Sequence, residues 1–390
     1  MQSSDRVLRE PRASHPGLFS RPVARGPPRP YNPAAVGDLN DIEAKVAAGE
    51  RLTFDDGVRL FRTRDLFTLG RLANGVRERK NGDRAFYVKN MHLNYTNVCV
   101  FDCHFCAFYR REGQEGGWEM DLDTIFAYAA KTQFEKLDEI HIVGGVHPKL
   151  PFRYYLEMLR GLKERYPHVH LKAFTATEID HLTKIAKKPL ADTLLELQRA
   201  GLDSLPGGGA EIFADRVWNQ VCSGKARPDR WIDIHRTAHK LGLRSTSTML
   251  YGHIENDGER VDHMLRLRAL QDETGGFTAF IPLAFHPANT RLAHVHAPTV
   301  QTDIKVHAVA RLLLDNFDHV KAYWIMTGLK TAQLLLSYGV DDIDGTIVEE
   351  RIVHMAGAES PLGVTEDELR ELIREAGREP VRRDSLYRVV

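Results

Sequence analysis

Hydrophobic and polar positions along the chain follow two alternating patterns. Between about residues 121 and 347, short runs rich in β-branched and aromatic residues alternate with longer segments in which apolar residues recur every three or four positions. The short runs are typical of buried strands and the longer segments of amphipathic helices. Elements that alternate in this way predict right-handed βαβ units and a parallel sheet. With a first strand over 85–95, about eight strands are predicted, which is enough for an α/β fold of the TIM-type (β/α)8 barrel class.

The predicted elements have the following ranges. The strands are 85–95, 139–143, 169–174, 202–205, 244–250, 278–283, 320–324 and 343–347. The helices between them are 121–137, 153–166, 177–200, 213–221, 229–241, 258–274, 302–316 and 329–338. In such a barrel the chemistry lies on the loops at the carboxyl ends of the strands, so functional residues are expected there.

The segments outside this repeat divide the chain into four predicted parts. Residues 1–36 are rich in Pro and Arg and have little apolar periodicity, which predicts a disordered arm. This basic arm could contact RNA or an acidic partner, although an untethered terminus is the simpler interpretation. Residues 37–84 predict a helical N-terminal cap, and residues 85–359 the barrel. Residues 360–390, with a helix from Glu366 to Ala376, are expected to pack on its outside.

Composition narrows the class of protein. The 390 residues contain 53 Lys and Arg and 53 Asp and Glu, so there is no overall basic field that would favour nucleic acid. Small-molecule partners are therefore expected. The sequence has no run of about 18 apolar residues and no signal-peptide pattern, so neither membrane insertion nor secretion is expected. Four cysteines, three of them close together, favour a cytoplasmic metal enzyme over a disulfide scaffold.

The cysteine-rich loop after the first predicted strand is the main chemical feature. Cys99, Cys103 and Cys106 have the spacing C-x3-C-x2-C. Thiolates are soft ligands, so this loop predicts a metal site. A structural zinc site normally has four protein ligands, whereas an iron–sulfur cluster held by three thiolates leaves one iron open. A zinc knuckle or three core cysteines are the alternatives.

The loop resembles the signature of the radical S-adenosylmethionine (SAM) superfamily, in which an aromatic residue, here Phe105, precedes the third cysteine. The resemblance implies a [4Fe–4S] cluster on Cys99, Cys103 and Cys106, which would be the metal-binding and catalytic residues. It also implies that SAM binds the open iron and is cleaved to a 5′-deoxyadenosyl radical.

The loops after the other predicted strands are polar and rich in glycine, as a ligand site requires. Gly144 and Gly145 resemble the superfamily motif that contacts the SAM amino group, although Val146 replaces its acidic residue. The predicted SAM contacts are Phe105, Gly144, Gly145, Glu178, Ser204 and Thr246. The predicted substrate contacts are His147, Gly207, Gly208, Gly209, Thr248 and His286.

Several of these residues also have structural interpretations. Glu178 and Thr175 fit a helix-capping box as well as a ligand site. His147 could be a core or surface histidine. Arg110 and Arg111 could bind a carboxylate, but a solvated face is the simpler interpretation, and Cys222 is expected to act as a small buried hydrophobic residue.

Longer segments carry a narrower resemblance. NYTNVCVFDCHFCAFYR, IVGGVHP, GLDSLPGGGAEIF and TAHKLGLRSTSTMLYGHIE resemble the menaquinone-pathway radical SAM family of aminofutalosine synthase and dehypoxanthine futalosine cyclase. The likeness extends from about residue 38 to the end, and the segments LKAFTATEI and FIPLAFHP favour the synthase.

The resemblance implies a reaction and its partners. The 5′-deoxyadenosyl radical would add to 3-[(1-carboxyvinyl)oxy]benzoate, followed by rearrangement and loss of carbon dioxide, to give 6-amino-6-deoxyfutalosine. A reductant such as flavodoxin or ferredoxin would supply the electron. The alternatives are the cyclase or another radical SAM enzyme, and a non-enzymatic iron–sulfur or zinc module.

Overall fold

The computed structural model describes residues 39–131, 137–348 and 350–390. Its helices are α1 (Asn40–Ala48), α2 (Phe54–Arg62), α3 (Leu66–Asn81), α4 (Leu122–Ala130), α5 (Phe152–Arg165), α6 (Ala176–Ala186), α7 (Leu190–Ala200), α8 (Asp215–Val221), α9 (Pro228–Lys240), α10 (Asp257–Thr274), α11 (Val300–Leu313), α12 (Trp324–Thr327), α13 (Leu329–Leu335) and α14 (Glu366–Glu375). Its strands are β1 (Arg84–Val88), β2 (Asn90–Leu93), β3 (Glu139–Ile142), β4 (His170–Ala173), β5 (Ser204–Leu205), β6 (Arg244–Tyr251), β7 (Phe277–Ala284), β8 (Asp342–Gly345) and β9 (Glu379–Arg382). The predicted arm and the end of the predicted helix 121–137 lie outside the described residues.

The strands form two parallel sheets that join into a barrel. One sheet has the order β2-β3-β4-β5-β6-β7 and the other the order β8-β1-β9. Parallel bridges from Phe280 to Val320 and from Lys321 to Asp342 connect β7 to β8. Only Lys89 separates β1 from β2, so the ring closes through one continuous segment. The predicted parallel α/β barrel is therefore confirmed.

Predicted strand 85–95 is divided at Lys89 into β1 and β2, and two further predicted elements differ from the observed ones for local reasons. Predicted helix 177–200 is divided into α6 and α7, because Pro189 cannot donate a helical hydrogen bond and Lys187 adopts a left-handed conformation with φ 53°. Predicted strand 320–324 is reduced to its two bridges, and α12 begins at Trp324. The buried Trp324 indole donates a 2.9 Å hydrogen bond to the Gly345 carbonyl, which draws the chain across the end of β8.

The N-terminal helices pack on the outer helices of the barrel, with α2 against α10 and α3 against α11. Thr53 caps α2: its hydroxyl accepts from the Asp56 N–H, and the Asp56 carboxylate accepts from the Thr53 N–H. Apolar side chains fill the layer between the sheet and the surrounding helices.

The C-terminal segment adds a strand to one of the sheets and does not pack only on the outside of the barrel. β9 pairs in parallel with β1, on the edge that β8 leaves free. Arg383 follows β9 and is completely buried, with its Nε 2.6 Å from the Asp342 carboxylate of β8. The chain therefore ends at the amino-terminal end of the barrel strands, opposite the cysteine loop.

Candidate active site

The cysteine loop leaves the carboxyl end of β2 and is held against the segment that follows β3. The Gly145 N–H donates to the Thr96 carbonyl at 2.8 Å, and the Val100 N–H donates to the Val146 carbonyl at 2.9 Å. The Cys99 sulfur accepts from the N–H groups of Phe101 and Val146, both at 3.4 Å. Such N–H contacts stabilise a thiolate.

The three thiols of this loop are partly buried and unpaired with one another. Burial raises the pKa of Cys99, Cys103 and Cys106, so a positively charged metal centre is the partner that would make them thiolates. The described residues include no group of His, Cys, Asp and Glu side chains arranged around a single metal ion.

A cavity of about 300 Å³ extends from this loop into the barrel lumen. At its mouth lie Cys106, Phe108, Gly144 and the glycines 207–209. Deeper in the lumen it is lined by polar side chains, which are Asn90, His92, Glu139, His141, Lys172, Lys321 and Asp344. The cysteine loop and a polar lumen thus form one continuous site.

Two threonines of β6 hold the glycine segment at this mouth. Thr246 Oγ1 accepts from the Gly207 N–H at 2.9 Å, and Thr248 Oγ1 donates to the Gly207 carbonyl at 2.8 Å. A Cβ atom at Gly207 would lie 2.4 Å from Ser247 Cα, so packing alone requires glycine there. Side chains alternate along β6, since Thr246 and Thr248 line the cavity while Ser245 bonds His235 outside it.

Comparison with known proteins decides the family. The radical SAM superfamily profile matches residues 93–267, and the CofH/MqnC C-terminal region matches residues 274–390. Aminodeoxyfutalosine synthase of Thermus thermophilus is 52% identical over 90% of this chain and 96% of its own. The chain belongs to the aminodeoxyfutalosine synthase family of radical SAM enzymes. As a radical SAM enzyme it uses a [4Fe–4S] cluster and SAM.

Other relatives are similar to the chain over most of its length. Aminodeoxyfutalosine synthase of Streptomyces coelicolor is 46% identical over 91% of this chain and 95% of its own. Cyclic dehypoxanthine futalosine synthase of the same organism is 37% identical over 90% and 88%. The crystal structure of methylornithine synthase (PylB) covers 87% of this chain and 97% of its own, with a TM-score of 0.69 at 16% identity, which supports the fold.

Among the predicted SAM contacts, Glu178 accepts the most hydrogen bonds. Its Oε1 accepts from the Tyr95 hydroxyl at 2.8 Å and the Gly144 N–H at 3.1 Å. Its Oε2 accepts from the N–H and hydroxyl of Thr175, both at 2.8 Å, which is the capping-box arrangement. Burial raises the pKa of Glu178 to about 7, although these donors oppose the shift. The carboxylate borders the cavity, and its direct role toward SAM remains a prediction.

Several other predicted contacts lie outside the cavity lining. His147 Nδ1 accepts from the N–H groups of Lys149 and Leu150 at 3.1 Å, and its Nε2 lies 2.7 Å from the Glu119 carboxylate. Ser204 bonds His170 Nε2 at 2.7 Å. His286 Nε2 lies 2.9 Å from the Met326 carbonyl.

Gly145 and Phe105 also lie outside the lining, but Gly145 contacts the cysteine loop and Phe105 is part of it. A Cβ atom at Gly145 would lie 2.3 Å from the Val98 carbonyl oxygen. Phe105 packs against the hydrophobic core. Both residues therefore shape the loop rather than the cavity wall.

The sequence reasoning missed the charged residues deep in the lumen. Lys172 forms a buried ion pair with Glu139, and Lys321 Nζ lies 3.2 Å from the Asp344 carboxylate. The signal was present in the strands, because Glu139 and His141 alternate with apolar Ile140 and Ile142.

Two histidines line the same cavity as these charged residues. His92 of β2 and His141 of β3 face each other across the strand pair, with ring centroids 4.7 Å apart. Burial lowers the pKa of both, so each imidazole is neutral and can donate or accept one hydrogen bond per nitrogen.

The residues at the mouth of the cavity fit the [4Fe–4S] cluster and SAM that the family uses. Three soft thiol donors lie on one irregular loop, and the Cys99 sulfur already receives two N–H groups. The cavity begins beside Cys106, so a molecule bound at the open iron would extend into the lumen.

Proposed function

We propose that the protein is an aminodeoxyfutalosine synthase that joins the 5′-deoxyadenosyl group of SAM to 3-[(1-carboxyvinyl)oxy]benzoate, with loss of carbon dioxide, to give 6-amino-6-deoxyfutalosine. The observation that carries the proposal is the 52% identity to the Thermus thermophilus synthase over 90% of the chain, against 37% for the cyclic dehypoxanthine futalosine synthase.

The proposed cluster ligands are Cys99, Cys103 and Cys106. When bound, the reduced cluster and SAM supply a 5′-deoxyadenosyl radical. Gly144, Glu178, Thr246 and the glycines 207–209 surround the space next to Cys106 and are the proposed SAM-binding residues. Their hydrogen bonds to one another fix the shape of this space before SAM binds.

The deeper lumen supports binding of a dicarboxylate. Lys172 and Lys321 are each paired with one carboxylate, but an ammonium group has three N–H donors, so each keeps donors for a ligand. Glu139 and Asp344 hold these ammonium groups in position. We assign the substrate carboxylate nearest the floor to Lys172 and Lys321.

The neutral imidazoles of His92 and His141 are assigned to the wall beside the aromatic ring of the substrate. Their stacked faces offer apolar contact, and their nitrogens offer uncharged hydrogen bonds. Thr248 completes the opposite wall. The substrate would then lie between the floor and SAM, with its enolpyruvyl group toward Cys106.

A single-turnover assay tests this function. Anaerobically reconstituted and reduced protein is mixed with SAM and 3-[(1-carboxyvinyl)oxy]benzoate, and products are followed by mass spectrometry. We expect an adduct that contains the adenosyl group, together with released carbon dioxide, and neither in Cys103→Ala. Uncoupled 5′-deoxyadenosine alone would contradict the substrate assignment.

The second candidate is the cyclase, because the cyclic dehypoxanthine futalosine synthase of Streptomyces coelicolor is 37% identical over 90% of this chain. It would consume dehypoxanthine futalosine and release 5′-deoxyadenosine, so the same assay with that nucleoside separates the two functions.

A flavodoxin or ferredoxin is the proposed electron donor, and the cytoplasm the proposed location, since free thiols and a reduced cluster require reducing conditions. Among the described residues, none of the helices combines the length and apolar character needed to span a bilayer.

A further inference from the structure

The hydroxyl of Tyr323 belongs to the cavity wall and has no hydrogen-bond partner in the described part of the chain. The residue is 9% exposed. Two other buried tyrosines do have partners, since the hydroxyls of Tyr95 and Tyr251 donate to the carboxylates of Glu178 and Asp303 at 2.8 and 2.7 Å. Because a buried phenol normally donates a hydrogen bond, the unpartnered hydroxyl of Tyr323 indicates a place for a ligand in the cavity.

The backbone sets the height of Tyr323 in the lumen. Tyr323 and Lys321 are two residues apart in the extended segment that pairs with β8, and both side chains line the cavity. Two residues of extended chain span about 7 Å, so Tyr323 leaves the backbone about 7 Å nearer the mouth than Lys321. Its ring lies parallel to that of His92, with centroids 6.3 Å apart and an interplanar angle of 9°. The phenol therefore borders the space between the floor and the mouth of the cavity.

The surroundings of this hydroxyl favour an uncharged acceptor. Burial, and after it the carboxylates of Glu350 and Asp344, raises the pKa of Tyr323 well above its ordinary value, so the hydroxyl keeps its proton and is a donor. Both carboxylates have other partners: Glu350 accepts from two backbone N–H groups of the segment that follows it, and Asp344 pairs with Lys321. A ligand carboxylate beside these two anions would be unfavourable, whereas a neutral oxygen would not.

The proposed substrate, 3-[(1-carboxyvinyl)oxy]benzoate, has two carboxylates and a single uncharged oxygen, which is the ether oxygen between the ring and the enolpyruvyl group. We infer, on the basis of the proposed function, that Tyr323 is a specificity-determining residue whose hydroxyl donates a hydrogen bond to this ether oxygen. Lys172 and Lys321 bind one carboxylate at the floor of the cavity. Contacts at these two points of the substrate fix the direction in which its double bond faces.

Binding of two matched compounds tests the inference. One is the substrate, and the other is its analogue in which a CH2 group replaces the ether oxygen. Their dissociation constants are measured by anaerobic calorimetry on the full-length, reconstituted protein with SAM bound and no reductant, so that no turnover occurs. The ratio of the analogue's constant to that of the substrate should be about fivefold larger in wild type than in Tyr323→Phe, because only the wild type can donate to the oxygen.

The matched control is Tyr338→Phe, which removes the same hydroxyl group outside the cavity lining. The Tyr338 ring packs against α3, where a Cβ atom at Gly70 would lie 2.5 Å from it. This variant should keep the wild-type ratio. Iron content and the dissociation constant of SAM are measured for all three proteins, since the ribose of SAM also carries uncharged oxygens. Both quantities should be unchanged in Tyr323→Phe.

Equal ratios in wild type and Tyr323→Phe would overturn the inference, as would an equal change in Tyr338→Phe. Weaker SAM binding in Tyr323→Phe with an unchanged ratio would assign the hydroxyl to SAM and would overturn it as well. Should Tyr323→Phe fail to retain iron, the wild type decides: weaker binding of the analogue supports the inference, and equal or tighter binding overturns it. A wild-type protein that binds neither compound would contradict the proposed function, and the inference with it, so the two failures are distinguishable.

Discussion

The Ser385 hydroxyl donates a hydrogen bond of 2.7 Å to the Glu139 carboxylate, which joins the end of the chain to the floor of the cavity. Glu139 also accepts from Lys172, one of the two ammonium groups assigned to the substrate. The C-terminal segment is therefore part of the support for the proposed substrate site.

Arg383 should be the most sensitive residue of this segment. Its side chain is 1% exposed and lies 2.6 Å from Asp342, so Arg383→Met would leave a buried carboxylate without its partner. Breaking a buried pair in this way costs about 3–5 kcal/mol of unfolding free energy. Urea denaturation should show this loss.

The control for that change is Arg388→Met, because Arg388 is 76% exposed and pairs with Asp384. A surface pair contributes less than about 1 kcal/mol. Equal losses in the two variants would contradict the assigned role of Arg383.

A side chain at position 145 should displace the cysteine loop. In Gly145→Ala the new Cβ would lie 2.3 Å from the Val98 carbonyl oxygen, next to Cys99, so the loop must move. We expect reduced iron per protein after reconstitution and a lower melting temperature. Gly75→Ala in α3 is the matched control, because its Cβ would meet nothing closer than 3.9 Å. That variant should bind iron normally and gain about 0.5–1 kcal/mol of stability.

The sequence predicted the parts of the site that depend on local patterns. Cys99, Cys103 and Cys106 lie within one loop, and the alternation in β6 puts Thr246 and Thr248 on the same face of the strand. Spacing and period are local properties, so no tertiary information was needed.

Contacts between distant segments could not be predicted in the same way. Lys225 and Glu211 form a buried salt bridge, but they are 14 positions apart in irregular segments and no periodic pattern marks them as a pair. Ser385 and Glu139 are 246 positions apart and meet because β9 pairs with β1. Glu178 shows a third limit: a capping box and a ligand site use the same residue types, and only the structure reveals that Thr175 makes the capping contacts while Tyr95 and Gly144 donate to the other oxygen.

The fourth cysteine should not be needed for the cluster. Cys222 is 4% exposed and packs in the hydrophobic core, so Cys222→Ala should retain the brown colour and iron content at a cost of about 1 kcal/mol. Cys99→Ala, Cys103→Ala and Cys106→Ala should each lose them. Anaerobic iron analysis and absorption spectra check these outcomes, and cluster loss in Cys222→Ala at unchanged stability would show that this thiol serves the cluster.

The raised pKa of Glu178 predicts a specific pH dependence of the protein's stability. Its pKa in the folded protein is about 7, against 4.5 for an ordinary glutamate, because burial favours the neutral carboxyl group. An acid with a raised folded pKa contributes stability that is fully present below the unfolded value and is lost as pH rises through the folded value. The wild-type contribution should therefore decline between about pH 4.5 and pH 7.

Glu178→Gln removes this titration and provides the measurement. The difference in unfolding free energy, wild type minus variant, should fall by about 3 kcal/mol from pH 4.5 to pH 7 and stay constant above pH 7, because only Glu178 differs between the two chains. Urea denaturation at several pH values gives this difference directly, and contributions from all other groups cancel. A difference that rises with pH would instead mean that the four donors around the carboxylate outweigh its burial and hold it ionised.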